Sequence, residues 1–154
     1  MRAMEVAKYI INKCTLDNYP ISNLKLLKIL YYIQIAFLQK FGEPCFEDDI
    51  QARKFGPVVP QVYRHYRKYS SLPIDIQYSD KDLPKFKETQ KKLIDSIIED
   101  KREKYVWDLV TETHEKGSAW HTIYREGEGN YAIIPLQILK EYGRYNNKNE
   151  TKNS

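Results

Sequence analysis

Cysteine is nearly absent from this chain: two of 154 residues, Cys14 and Cys45, and neither lies in a CxxC or Cys/His cluster. That argues against a disulfide framework or a cysteine-rich metal module and predicts two reduced, mostly buried thiols. No apolar run approaches the roughly 20 residues needed to cross a bilayer. Glu5 and other polar residues also interrupt the N-terminal stretch, where a signal peptide needs an unbroken apolar core. A cytoplasmic location is therefore expected. Glycine-rich nucleotide loops are missing, as are a GxSxG elbow, a dinucleotide fingerprint and a pair of acids spaced for one shared substrate. The three histidines and two cysteines form no nucleophile–base pattern, so the chain is read as non-enzymatic and cofactor-free. His114 and His121 flank Gly117 at a separation that fits no compact metal-ligand motif, and no metal site is expected. His114 is read instead as a capping or hydrogen-bonding group at a helix end.

What is present is ordinary in bulk and unusual in detail. Hydrophobic residues make up 42% and charged residues 30%, enough for one folded domain with a proper core. The net charge of +4 is mild, compatible with an acidic protein partner and with nucleic acid. Tyrosine is the anomaly, at 13 residues, several of them beside basic side chains. That combination suits protein interfaces and also stacking on single strands.

Hydrophobic periodicity predicts a mainly α fold: a single multi-helix domain around a central buried helix, with a small β element. Residues 3–14 read as a short amphipathic helix. Ser22 or Asn23 caps the next, whose residues 24–41 are apolar over most of the circumference. Lys25, Lys28, Tyr32 and Gln39 form one narrow polar stripe on it. The acids Glu43, Glu47, Asp48 and Asp49 read as a solvated turn, and residues 50–55 as a short strand. Helices are expected over residues 83–102 and 105–114, the second using Val106, Trp107, Leu109 and Val110 as its apolar set. Ser118 caps another, and Pro135 opens a last one that Gly143 ends. A strand near Ile133 should pair with the segment near Ile50. Residues 1–145 form the domain and 146–154 a polar tail expected to fray.

Residues 51–69, QARKFGPVVPQVYRHYRKY, concentrate Arg53, Lys54, Arg64, Arg67 and Lys68 with no acid. Gly56-Pro57 punctuates the segment, and a helix is predicted from Pro57 or Val58, with Val58, Val62, Tyr66 and Tyr69 as its buried face and Tyr63 adding to it.

Three blocks in order, LKLLKILYYIQ at residues 24–34, QARKFGPVVPQVY at 51–63 and THEKGSAW at 113–120, resemble the Panacea, or SocA-like, antitoxin domain of bacterial and phage toxin–antitoxin operons. The likeness extends from about residue 4 to residue 142, nearly the whole domain. It implies a non-enzymatic antitoxin that neutralises a toxin encoded beside it by direct binding. Adaptor action that delivers a toxin to a Clp-type protease is the alternative it carries. The residues themselves leave open a nucleic-acid-binding regulator, through Arg64, Arg67 and Lys68 beside Tyr63 and Tyr66. The expected partner-binding surface is Arg53, Phe55, Gly56, Pro57, Val58 and Val59 with Arg64 and Arg67, formed or supported by His114 and Trp120. Gly56 and Trp120 also fit purely structural parts, a turn and a core filler.

Overall fold

A 19-residue helix, α2 (Asn23–Phe41), runs through the middle of the protein, and every position from Leu26 to Leu38 is buried. In this computed structural model residues 1–145 are described; the polar segment 146–154, expected to fray, lies outside them. Local chemistry sets the helix ends. The Ser22 hydroxyl accepts from the Lys25 amide at the N-terminus, and Gly42 closes the C-terminus with a left-handed φ of 74° that a side chain would resist.

Six elements cover α2: α1 (Ala3–Leu16), β2 (Gly56–Val58), α3 (Pro60–Tyr66), α4 (Glu88–Arg102), α5 (Val106–Thr113) and α7 (Leu136–Tyr142). With α6 (Ala119–Tyr124) and β1 (Gln51–Arg53) they complete a mainly helical domain, with seven α-helices among the described residues. Its apolar core includes Ile10, Leu26, Ile29, Leu30, Ile33, Ile94, Ile98, Leu109 and Trp120. Each aliphatic side chain so buried contributes about 1.5–3 kcal/mol. Both cysteines are free and buried within this core.

The sheet departs from expectation. β1 pairs antiparallel with β2 across a tight turn at Lys54-Phe55, in the register Gln51↔Val58 and Arg53↔Gly56. The pairing near Ile133 exists as a single bridge from Gln51, beside hydrogen bonds between Ala52 and residues 131–132. Pro57 is tolerated in β2 because its partner Ala52 turns both backbone groups toward Tyr131 and Ala132 instead.

Consequently α3 begins at Pro60, not at Pro57. The residue before a proline is driven to extended geometry, and Val59, at φ −95° and ψ 107°, obeys that rule ahead of Pro60. Val62 and Tyr66 are buried as read from the sequence and Tyr69 is half-buried, but Tyr63 swings outward. A second correction concerns α5, which buries Leu109, Val110 and Thr113 and leaves Trp107 exposed. Two residues are 200° of helix, so Trp107 lies opposite Leu109. Helix α4 starts at Glu88, five residues later than expected from residue 83, after a loop in which the Tyr78 amide donates to the buried Asn12 side chain at 2.8 Å.

Three residues from polar stretches of the sequence, Asp48, Lys28 and Tyr32, are buried. Asp48 accepts from the Ala3 amide at 2.7 Å and from Arg2 at 2.9 Å, so one acid of the loop caps α1. Lys28 and Tyr32, from the polar stripe of α2, are fully enclosed because β2 and α5 pack over them. Gln34 pins the acidic loop from below: its side chain donates to the Phe46 carbonyl and accepts from the Cys45 and Phe46 amides.

Candidate functional site

The β1–β2 hairpin is seated by three features: its own Gly56, and Lys28 and Trp120 beneath it. Gly56 has φ of 119°, and a Cβ there would sit 2.7 Å from the Lys28 Cε and 3.1 Å from the Thr113 Oγ1. Only glycine allows that approach. The Lys28 ammonium donates to the Pro57 carbonyl at 3.4 Å, and burial lowers its pKa from 10.5 to about 7. Trp120 supplies the third support. Its indole N–H donates to the Arg53 carbonyl at 2.8 Å, and its backbone N–H donates to the Tyr31 hydroxyl.

Trp120 is also the middle of a ring stack. His114 lies parallel on one face at 3.8 Å and 6°, and Tyr124 on the other at 4.5 Å and 18°. His114 is the C-cap residue of α5. Burial lowers its pKa, the positive field of Lys28 adds to that, and the neutral ring stacks without a desolvated charge. The ring also lines an open cleft of about 720 Å³ shared with Lys104, Thr111, Glu112 and Glu115. Ser118 locks the THEKGSAW turn: its hydroxyl donates to the Thr113 carbonyl and accepts from the His121 amide. Nearby, Lys101 is wholly buried, ion-paired with Glu112, its ammonium 4.2 Å above the Tyr32 ring. Burial alone would raise the Glu112 carboxyl, but hydrogen bonds from Lys101 and Lys104 outweigh it and hold the carboxyl below its ordinary value.

Above this support the surface is basic and aromatic. Arg53 is clamped by rings, its guanidinium carbon 4.6 Å from the Tyr131 centroid and 5.7 Å from that of Tyr63, with its Nε and Nη2 donating to Gln51. At the turn, Phe55 packs edge-to-face on Trp107 with centroids 5.9 Å apart, while the two remain 51% and 60% exposed. Arg64, His65, Arg67 and Lys68 are exposed on and after α3. Among the described residues, no carboxylate pairs with Arg53, Lys54, Arg64, Arg67 or Lys68.

The ten residues expected at a partner surface therefore divide by depth. Arg53, Phe55, Arg64 and Arg67 present side chains outward. Gly56, Pro57, Val58, Val59 and Trp120 are buried beneath them, and His114 is half-buried at the cleft. Sequence reasoning missed Trp107, Tyr131 and Lys28. Trp107 had one signal, its place on the helical face opposite Leu109, whereas Tyr131 and Lys28 reach the hairpin only through tertiary packing.

Comparison with known proteins agrees with this arrangement of blocks. A family profile described as "Antitoxin SocA-like, Panacea domain" matches residues 26–121. Antitoxin SocA of Caulobacter vibrioides (strain NA1000 / CB15N) is 44% identical over 62 residues, which are 40% of this chain and 33% of that protein. The match thus spans about a third of the curated relative's length. No solved structure matches. The matched span takes in α2, the hairpin, α3 and the Ser118–Trp120 turn, and on that ground the chain belongs to the SocA-like antitoxin family with a Panacea domain.

Proposed function

We propose that this chain is an antitoxin that neutralises a toxin protein by binding it directly, and that the hairpin–α3 face makes the contact. One observation carries the reading: five cations gathered on a rigidly supported hairpin and helix have no carboxylate of their own, beside two aromatic rings open to solvent. Arg53, Phe55, Arg64 and Arg67 are the contact residues. Gly56 to Val59, His114 and Trp120 hold the hairpin in position under them. Binding alone is the mode of action, with no catalytic step.

Co-expression with the product of the neighbouring open reading frame tests it. The expected result is growth arrest by that product alone, rescue by this chain, and co-purification of the two. A neighbour that is harmless alone, or that stays toxic and unbound in the presence of this chain, sinks the reading.

A further inference from the structure

Resting on the direct-binding reading, we infer that the partner presents an acidic segment flanking an apolar recess, and that Phe55 and Trp107 enter that recess together. Single exposed rings are common on protein surfaces, but rings from distant elements packed on each other and still more than half open form a contiguous apolar knob. Phe55 comes from the hairpin turn and Trp107 from the outer face of α5, so the knob exists only in the folded protein. Aromatic anchors of this size typically dominate an interface when they fill a pocket.

The surrounding charge specifies the pocket's rim. The Lys54 ammonium lies 5.6 Å from the Phe55 ring centroid. Arg53, ordered between Tyr63 and Tyr131, spends Nε and Nη2 on Gln51 and keeps Nη1 for a partner. Covering these cations costs free energy unless the partner brings carboxylates, and a planar guanidinium already held in place is suited to them.

The same surface disfavours a nucleic-acid strand. An edge-to-face ring pair offers no run of parallel platforms for successive bases.

Titration calorimetry of the purified chain against the neighbouring gene product tests the inference, with Phe55→Ala and Trp107→Ala, at 50 and 300 mM NaCl, and a 20-nucleotide single-stranded DNA as counter-probe. Each truncation is expected to weaken protein binding by about tenfold or more, on the scale of an interface anchor. The melting temperature should stay close to wild type, since both rings are outside the core. Higher salt is expected to weaken binding several-fold. Truncations that change affinity less than tenfold, salt-independent binding, or tighter binding to the DNA than to the protein each overturn the inference while leaving direct toxin binding in place. If the wild-type chain does not bind the gene product at all, the direct-binding reading falls and this inference falls with it.

Discussion

The α1–α4 side of the molecule and the hairpin–α3 side carry the same kinds of residue in opposite states. On the first, several cations are matched: Lys13 with Asp17 and Glu99, Lys91 with Asp95, and Arg102 with Asp17 at 2.7 Å. Its rings are engaged too, since the Tyr9 hydroxyl donates to Asp95 at 2.6 Å and the ring meets Phe86 edge-on. On the second, Arg53, Lys54, Arg64, Arg67 and Lys68 lack a carboxylate among the described residues, and Phe55 and Trp107 stand open. The first side satisfies most of its own charges; the second is left to be satisfied by something else. Beneath the open side, the support consists of a buried amine, a glycine in a backbone conformation that side chains resist, and a tryptophan stacked between two rings.

The largest break in this contrast comes from removing the support. Trp120→Ala deletes the stacked ring and the hydrogen bond to Arg53 and is expected to cost about 3–5 kcal/mol. Chemical denaturation reads that loss, and hairpin-dependent partner binding should fall with it. Gly56→Ala is next. Its φ and the approach of Lys28 predict a loss of about 2–3 kcal/mol, measured as a lower denaturation midpoint with an unchanged slope.

Lys28 gives a pH signature. Between about pH 7 and its ordinary value of 10.5, the folded state holds fewer protons on this amine than the unfolded state does. Stability from Lys28 therefore rises with pH through that window, by at most about 1.4 kcal/mol per unit. Below about pH 7 the full cost of a buried charge is present. The buried thiols act in the opposite direction, with Cys45 pushed up to about 12 by burial, so the comparison that isolates Lys28 is wild type against Lys28→Met. Melting temperature plotted from pH 7 to 9 should climb more steeply for wild type than for the variant. Parallel curves would show that the amine is not desolvated as the structure has it.

The smallest stability effects fall on exposed charges and sharpen the contrast most. Arg64→Gln and Arg67→Gln should shift stability by less than about 0.5 kcal/mol, because neither has a partner to lose. Lys91→Gln should cost a few tenths of a kcal/mol, roughly the worth of its i,i+4 pair with Asp95. In a partner-binding assay the order is reversed: the two arginine variants weaken binding and Lys91→Gln leaves it unchanged.

Much of the scaffold was legible because its signals are local. Ser22 and Ser118 cap helices as their side chains predict, Gly42 ends α2, and the apolar girth of residues 24–41 called for burial on several sides. The hairpin was less legible. The helix start was expected at Pro57 or Val58, and the start at Pro60 depended on β2 having a strand to pair with. Of the candidate surface, the basic residues and Phe55 could be read as outward-facing, but Trp107 and Tyr131 could not. Trp107 was assigned to the core because it is apolar, although its helical phase opposed Leu109.

The sequence by itself determined where most helices lie, which residue caps them, which helix is central, and the ordered blocks that mark the family. Only the tertiary structure decided what each face meets. Periodicity says which side chains share a side of a helix, not whether water or another element covers it. That is why Lys28 and Asp48 proved buried, Trp107 open, and Arg53 clamped between two tyrosines 68 residues apart in the chain.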